Sequence, residues 1–293
     1  MATLDPRDPL GRALDEAVAG RQGRLFDLLA RGSHLPGTRM NAPLAEAFAA
    51  ACRSRGARAD PVALALARLS AAEAPGATSL EFLPVCGVAA LGSRAAADKD
   101  VRGAFLLELH ARADDLRFRV RDAVVDSLAR IGEAAGDALA VDVTAWMDGY
   151  FHAGAVVRAL ARETWLSTLH DGDVVAARVD EALALARDAP RAAARWPGHK
   201  ALLDALSTSL VPVVIRFGAP MFDLLERWSV IQDPALREVI AGLLSAPKLA
   251  GRFGKEMERV RRSLKTSLPA PRNPDHDVGP TRDRSRRRRE GNR

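Results

Sequence analysis

The stretch DDLRFRVRDAVVDSLARIGEAAG, residues 114–136, determines the fold class that this sequence predicts. Its apolar residues follow one another at steps of one, three and four positions: Leu116, Val120, Ala123, Val124, Leu128 and Ile131. Such steps place side chains along one face of an α-helix, so we expect an amphipathic helix with one buried side. Gly132 follows the last of these residues and is expected to end the helix.

The same stretch carries a valine–arginine pair, Val120-Arg121, and an aspartate, Asp115, six residues before the arginine. In these residues it resembles the second helix of a HEAT repeat. The resemblance implies that Asp115 lies in the turn between two paired helices and that its carboxylate binds Arg121. A second pair, Val101-Arg102, lies nineteen residues earlier, which is about one helix plus a turn. The resemblance therefore predicts an all-α fold, an α-α superhelix of the HEAT-like helical-repeat solenoid type.

The composition of the 293-residue chain also favours helices, since 48% of its residues are hydrophobic but only 5% are aromatic. Aspartate–proline pairs at Asp60-Pro61 and Asp233-Pro234 are typical of helix starts, because aspartate caps a helix and proline has the helical φ angle. Pro212 predicts a kink or a break in the apolar helix that contains it, because proline removes a backbone hydrogen bond.

The composition changes abruptly after residue 268. Residues 269–293 contain four prolines and eight arginines, and Val278 is their only aliphatic residue larger than alanine. A segment of this kind cannot bury enough apolar surface to offset the entropy of ordering. We therefore expect a HEAT-like domain over residues 1–268, with roughly six helical pairs at a period of about 40 residues, and a disordered Arg-rich tail over 269–293. The Ala-rich N-terminal part fits an irregular helical bundle equally well.

Positive charge is concentrated at the C-terminal end. Residues 255–293 hold 13 basic and 6 acidic residues, whereas the other 254 residues hold 30 basic and 31 acidic ones. The candidate nucleic-acid-binding residues are therefore the basic face of the last helix and an arginine run in the tail: Lys255, Arg259, Arg262, Arg286, Arg287, Arg288 and Arg289. Cations grouped in this way neutralise several phosphates and give a salt-dependent, sequence-independent affinity. For the arginine run, a solvated tail without a ligand is the favoured interpretation, and a non-specific anchor for nucleic acid is the alternative.

No catalytic, metal or cofactor motif stands out. The six histidines never lie three or four residues from one another, and Cys52 and Cys86 lack the spacing of metal ligands. We therefore expect no catalytic residue, no metal site, no cofactor and no small-molecule substrate. The two cysteines are expected to be reduced and buried. Asp115 and Arg121 are expected to form a structural ion pair or a turn hydrogen bond.

Tryptophans offer the one link to a specific activity. Core packing is the favoured interpretation of Trp146, Trp165 and Trp228, which lie among apolar residues, whereas Trp196 is expected to be exposed in a loop. One bacterial HEAT-like branch, the DNA alkylation repair glycosylases of the AlkD type, uses tryptophans near a catalytic aspartate. Trp146 and Asp142 share a helix face at i, i+4 and resemble such a pair. The glycosylase interpretation requires an aspartate and a tryptophan that are exposed together in a basic groove. The scaffold interpretation predicts instead that Trp146, Trp165 and Trp228 are mostly buried.

Two functions remain in consideration. The first is a non-enzymatic helical-repeat scaffold that binds a protein partner on its concave face, as HEAT-like folds generally do. The alternative is a DNA-binding HEAT-like protein related to the glycosylases, with nucleic acid also reached by the basic C-terminal tail. Charged residues interrupt the N-terminus and the apolar residues 201–217, so we expect neither a secretory signal nor a membrane span. These observations predict a bacterial, cytoplasmic protein.

Overall fold

The structure, a computed structural model, describes residues 8–267 of the chain. Within these residues it contains sixteen α-helices, four short 3₁₀ segments and no β-strand, so the predicted all-α fold is confirmed. The α-helices are α1 (Pro9–Val18), α2 (Gly23–Gly32), α3 (Ala42–Arg55), α4 (Asp60–Ala67), α5 (Phe82–Ala97), α6 (Lys99–Ala113), α7 (Phe118–Ala135), α8 (Asp137–Asp142), α9 (Tyr150–Leu160), α10 (Glu163–Leu166), α11 (Gly172–Arg187), α12 (Pro197–Phe217), α13 (Ala219–Ser229), α14 (Pro234–Leu244), α15 (Pro247–Ala250) and α16 (Gly254–Thr266). The predicted disordered tail, residues 269–293, lies outside the described residues.

From α3 onward, the helices other than the four-residue α10 and α15 form two layers of a stack. In the first layer, called the series layer here, α3, α5, α7, α9, α12 and α14 pack on one another in that order. In the second, called the flanking layer, α4, α6, α8, α11, α13 and α16 each lie against members of the series layer. The chain therefore alternates between the two layers over most of its length, which is the arrangement of stacked helical pairs.

Helix α5 is the central element of the N-terminal half, because α3, α4, α6 and α7 all pack on it. Its buried residues include Leu83, Val85, Val88 and Leu91, and they point in several directions around the helix. The segment Ser79–Ala97 is long and apolar enough to cross a membrane, with a mean hydropathy of 1.3, but 78% of it is buried inside the fold. A core helix has this composition because it meets apolar neighbours on every side.

Two glycines of the series layer allow close contacts with other parts of the chain. Helix α7 continues through Gly132 and ends before Gly136, whose φ of 58° lies in the left-handed region. The prediction that Gly132 ends the helix is therefore wrong. A Cβ atom at Gly132 would overlap the indole ring of Trp165, and a Cβ atom at Gly92 in α5 would overlap Ser127 of α7. Glycine is required at both positions because a neighbouring residue already occupies the space of a side chain.

Several ion pairs join different helices of the stack, at sequence intervals that vary from one pair to another. Three of them join residues 36 positions apart: Asp122 to Arg158 (2.8 Å), Asp126 to Arg162 (2.9 Å) and Asp223 to Arg259 (2.6 Å). The first two lie at the junction of α7 with α9, and the third joins α13 to α16. Exposed ion pairs stabilise a fold by only about 0–1 kcal/mol each. These three pairs therefore show how neighbouring helical pairs are aligned, and they add little to the stability of the fold.

The helix-start and helix-stop signals of the sequence have mixed outcomes. The carboxylate of Asp233 caps α14 as predicted and accepts a hydrogen bond from the backbone N–H of Leu236 at 2.9 Å. Asp60 is instead the first residue of α4, and its carboxylate binds Arg94 at 2.8 Å. Pro212 does not break α12, which continues to residue 217. Pro212 and Thr208, whose carbonyl would otherwise accept the missing hydrogen bond, are both exposed. Helices α9 and α14 pack along the other side of α12.

Replacing Gly132 with alanine is expected to destabilise the protein by about 1–3 kcal/mol, because the new methyl group overlaps Trp165 in a packed core. Gly103 is the matched control, since it also lies inside a helix but a Cβ atom there meets nothing within 4 Å. Gly103→Ala is expected to stabilise the protein by about 0.5–1 kcal/mol. Urea unfolding measures both changes, and an equal effect at the two positions would contradict the close crossing at Gly132.

Candidate functional site

Two histidines and an aspartate meet where α6 faces the start of α9. Nε2 of His110 lies 3.1 Å from Oδ1 of Asp148, and Nδ1 of His152 lies 3.1 Å from the same oxygen. The two imidazole rings are stacked, with centroids 3.9 Å apart and planes 10° from parallel. One nitrogen or oxygen atom from each residue lies within 4.8 Å of the others. This group, called the His–Asp cluster here, has the two nitrogens and one oxygen that divalent transition-metal ions bind.

An irregular segment of backbone positions this cluster. Between α8 and α9 the chain forms the 3₁₀ segment Val143–Asp148, in which Met147 leaves the helical region with a φ of −80° and a ψ of 22°. Asp148 is the last residue of this segment, and α9 then begins after the extended residue Gly149. His152 lies four residues beyond Asp148, so the two side chains lie on one side of the start of α9.

The three side chains of the His–Asp cluster differ in how much of their surface is exposed. The side chain of His152 is only 15% exposed, whereas that of His110 is 27% exposed and that of Asp148 is 54% exposed. Burial lowers the pKa of His152, and the neighbouring His110 lowers it further, while Asp148 acts in the opposite direction. Nδ1 of His152 is buried and forms no hydrogen bond of acceptable geometry with any described residue. A buried imidazole nitrogen of this kind is available as a ligand or an acceptor.

A groove of about 600 Å³, called the α6 groove here, adjoins the cluster. Its lining combines apolar and charged side chains: Lys99, Arg102, Gly103, Leu106, Leu107, His110, Asp142, Ala145, Trp146 and Asp148. Leu107 is 73% exposed on its wall. Trp146 is only 4% exposed, and its indole ring packs edge-on against the ring of His110 with centroids 5.2 Å apart. The groove therefore offers an exposed carboxylate at Asp142 but no free tryptophan face for stacking.

The tryptophans otherwise follow the sequence prediction. Trp165 is fully buried and Trp228 is 5% exposed, so the core-packing interpretation is confirmed for them as for Trp146. Trp196 is 45% exposed, as predicted for a loop residue. The pair formed by Asp142 and Trp146 lines one groove, but only the aspartate is exposed there.

The predicted motif residues Asp115, Val120 and Arg121 come together, but in a different arrangement. Val120 is fully buried. The guanidinium group of Arg121 donates to the backbone carbonyl of Asp115 and lies over the ring of Phe151, 4.4 Å from its centroid. The expected turn hydrogen bond is present, whereas the implied bond from the Asp115 carboxylate to Arg121 is not. That carboxylate binds Arg117, because Arg117 precedes α7 and points into the core.

Arg117 is the buried cation of this region, with 4% of the residue exposed. Its guanidinium group lies 2.7 Å from the Asp115 carboxylate. It also donates to the backbone carbonyls of Leu69, Ser70 and Ala74, at 2.7, 3.3 and 2.9 Å, which follow the end of α4. Burial raises the pKa of Asp115, but the hydrogen bonds from Arg117 outweigh burial and hold that pKa below its usual value of 3.8.

The basic face of the last helix is partly neutralised. Arg259 binds Asp223 at 2.6 Å and Glu226 at 3.0 Å, so its charge is paired with α13. Lys255 and Arg262 are exposed and form no ion pair among residues 8–267. Only two of the three predicted cations on α16 are therefore free for a phosphate. The other predicted nucleic-acid-binding residues, Arg286, Arg287, Arg288 and Arg289, lie outside the described residues.

The two cysteines are buried and unpaired, as predicted. Burial raises the pKa of the Cys52 thiol to about 12, and burial also raises the pKa of Cys86. A thiol with a raised pKa carries almost no thiolate at neutral pH, so neither cysteine is activated as a nucleophile or a metal ligand.

The series layer carries two open grooves on its exposed face. The first, of about 390 Å³, lies across α7, α9 and α12 and is lined by Arg121, Asp122, Val125, Phe151, Gly154, Ala155, Arg158, Ala201, Asp204 and Thr208. The second, of about 470 Å³, lies across α3, α7 and the start of α10 and is lined by Glu46, Asp126, Ala129, Arg130, Glu133, Arg162, Glu163 and Thr164. Together they present six carboxylates and four guanidinium groups. The face is therefore mixed in charge and slightly acidic.

Sequence reasoning missed the His–Asp cluster. It found no histidines three or four residues apart and no cysteine or acidic cluster that completes a metal set, so it predicted no metal site. The structure brings together two histidines and a carboxylate that could hold an ion, and the absence of a metal site stays a prediction. The i, i+4 spacing of Asp148 and His152 was a usable signal, but His110 lies 38 residues from Asp148 and reaches it only through packing of α6.

Comparisons with known proteins do not extend this picture. No family model, curated protein or solved structure matches the chain.

Removing the buried cation at Arg117 is expected to destabilise the protein strongly. Arg117→Ala leaves the Asp115 carboxylate and three carbonyls unpaired, so we expect a loss of about 3–5 kcal/mol at pH 7. Arg121→Ala removes a half-buried group with a carbonyl partner and is expected to cost about 1–3 kcal/mol. Urea unfolding at pH 7 measures both values, and a larger loss for Arg121→Ala would contradict the observed pairing.

The dependence of the unfolding free energy on pH is a second test of the ion pair between Asp115 and Arg117. The folded-state pKa of Asp115 is depressed, so the pair stabilises the fold above the usual aspartate value of 3.8. That contribution is lost as pH falls through the lower pKa of the folded state. The difference in unfolding free energy between the wild type and Arg117→Ala is therefore expected to become smaller in acid. A gap that stays constant between pH 7 and pH 3 would contradict the ionised state of the pair.

Proposed function

We propose that this chain is a non-enzymatic helical-repeat scaffold of the HEAT-like type, which binds a protein partner on its concave face in the bacterial cytoplasm. The observation that carries the proposal is the pair of adjacent open grooves on the series layer. Each groove crosses from one helical pair to the next, so a partner seated there would contact several repeats at once. Extended binding across repeats is the usual use of stacked helical pairs.

Packing supports the series layer as the concave side. In a curved stack, the helices on the inside of the curve lie closer together than those on the outside. From α3 to α9 the members of the series layer pack directly on one another, whereas α4, α6 and α8 of the flanking layer make little contact with each other. From α8 onward, α8, α11, α13 and α16 of the flanking layer also pack on one another. Over the α3–α9 part of the stack, the face that holds the grooves is therefore the better candidate for the inside of the curve.

The charges on this face favour a protein partner over a nucleic acid. Asp122 and Asp126 are already paired with Arg158 and Arg162. A phosphate backbone requires an excess of cations, but carboxylates outnumber guanidinium groups in the two grooves. The small residue Gly154, with Ala155 and Ala201, lines the first groove and leaves room for side chains of a partner. A groove lined by small residues and by charges of both signs is suited to binding the surface of another protein.

The alternative, a DNA-binding protein related to the alkylation repair glycosylases, has one supporting observation. Asp142 is exposed in the α6 groove near Lys99 and Arg102. The burial of Trp146 counts against base stacking at that site, since its ring packs on His110. Contact with nucleic acid is assigned in this proposal to the C-terminal tail, as an electrostatic anchor.

Site-specific photo-crosslinking tests the partner face. A photo-reactive residue at Thr208, on the exposed wall of the first groove, is expected to trap a discrete protein in cells that express the chain. The same residue at Ala138, exposed on the flanking layer, is the matched control and is expected to trap much less. Asp204→Arg reverses a charge in the groove and is expected to weaken the Thr208 crosslink at least about 10-fold.

A second charge reversal controls for net charge. Glu258→Arg on the exposed side of α16 is expected to leave the Thr208 crosslink unchanged. Equal trapping from Thr208 and Ala138, or trapping of nucleic acid alone from Thr208, would exclude the groove as a protein-binding face.

DNA binding by the full chain is expected to come from the tail. We expect affinity for duplex DNA to fall with rising salt, with a slope of log K against log salt of up to about −3.6 for four phosphate contacts. Replacing Arg286, Arg287, Arg288 and Arg289 together with glutamine is expected to abolish this binding, whereas Lys255→Gln with Arg262→Gln changes it little. Fluorescence anisotropy measures all three proteins. Binding that survives the tail substitutions would favour the DNA-reading alternative and call for a glycosylase assay on alkylated DNA.

A further inference from the structure

We propose that the His–Asp cluster is a binding site for a divalent transition-metal ion of the zinc class, with Nε2 of His110, Nδ1 of His152 and a carboxylate oxygen of Asp148 as its ligands. Two imidazoles and a carboxylate are a donor set that Zn²⁺ and neighbouring first-row ions accept. The site is independent of the scaffold function, because it lies on the flanking side of the stack and not in the two grooves of the series layer.

The spacing of the donor atoms fits a small ion. Around a tetrahedral zinc ion with bonds of about 2.0–2.2 Å, neighbouring ligand atoms lie about 3.3 Å apart. Both nitrogens of the cluster already lie 3.1 Å from Oδ1 of Asp148. The third separation, between the two nitrogens, is at most 4.8 Å. Two of the three separations therefore match those of a bound ion, and the third differs by at most about 1.5 Å.

Ligation requires a ring to rotate. Two parallel stacked imidazoles cannot direct both nitrogen lone pairs at one ion, so one ring must turn out of the stack. Rotation of a histidine ring about its Cβ–Cγ bond is energetically soft, because sp³–sp² torsions have broad minima. His110 is more exposed than His152 and has the α6 groove beside it, so His110 is the ring with room to turn.

The buried nitrogen of His152 is a second observation. Nδ1 of His152 lies 3.1 Å from the Asp148 carboxylate, but this contact lacks hydrogen-bond geometry, and no other residue among 8–267 pairs with the nitrogen. Buried polar atoms of side chains are usually paired, since an unpaired one costs about 1–3 kcal/mol. A metal ion at this position would satisfy the nitrogen, and Gly149 leaves the space in front of it free of a side chain.

Three protein ligands leave at least one coordination position open. His110 and Asp148 both line the α6 groove, so the open position lies on the groove side of the cluster. Zinc sites with three protein ligands hold water or an exogenous group in that position, in contrast to the four-ligand structural sites. Lys99 and Arg102 on the groove wall would favour an anionic group there.

Titration calorimetry of the untagged full chain with ZnCl₂, after treatment with a chelator, tests the site. We expect one ion per chain, and a loss of affinity of at least about 100-fold in His110→Gln and in His152→Gln, which exceeds typical outer-shell effects. His170→Gln is the matched control, since His170 is exposed and lies outside the cluster. It is expected to bind zinc as the wild type does. Absence of one-to-one binding by the wild type would overturn the proposal.

A steric variant tests the same site without deleting a ligand. A Cβ atom at Gly149 would overlap Nδ1 of His152, and the extended backbone of Gly149 accepts alanine without strain. Gly149→Ala is therefore expected to lose zinc affinity while keeping its helical circular dichroism. Zinc is also expected to raise the melting temperature of the wild type and of His170→Gln but not of Gly149→Ala. Undiminished zinc binding in both His152→Gln and Gly149→Ala would show that the ion binds elsewhere and would overturn the assignment.

Discussion

The crossing of α5 and α7 is the constraint on which the rest of the structure depends. The two helices approach so closely that a side chain at Gly92 would overlap Ser127, and Ser127 in turn donates a hydrogen bond to the carbonyl of Val88 at 3.1 Å. Small residues permit such approaches because backbone takes the place of side chains. Helix α7 is thereby held against the central core helix, and it then presents Gly132 to Trp165 on the next part of the chain.

A buried charge at the start of α7 reinforces this arrangement. Arg117 is paired with Asp115 and also binds three backbone carbonyls after α4, so one side chain ties two helical pairs together. Taking a guanidinium group out of water is costly unless every donor finds an acceptor. The site meets this condition with a carboxylate and three carbonyls, and the position of α7 relative to α4 follows from it.

The two candidate binding regions differ in how they arise. The grooves of the series layer come from regular stacking, because each lies where one helical pair meets the next. The His–Asp cluster comes from irregularity, because the 3₁₀ segment before α9 turns Asp148 toward His110. Regular stacking provides broad surfaces for macromolecules, whereas irregular backbone brings a few polar side chains together at one point. The proposed protein-binding face and the proposed metal site are therefore separate features of one fold.

The sequence by itself determined the helices and their buried faces. The three- and four-residue spacing of apolar side chains in α7 and the cap at Asp233 depend only on nearby residues, so both were predictable. Only the tertiary structure decided that Gly132 packs against Trp165 and that His110 lies beside Asp148. Local periodicity specifies which side of a helix is buried. It does not specify which residue of another helix lies against that side, because that depends on how distant helices pack.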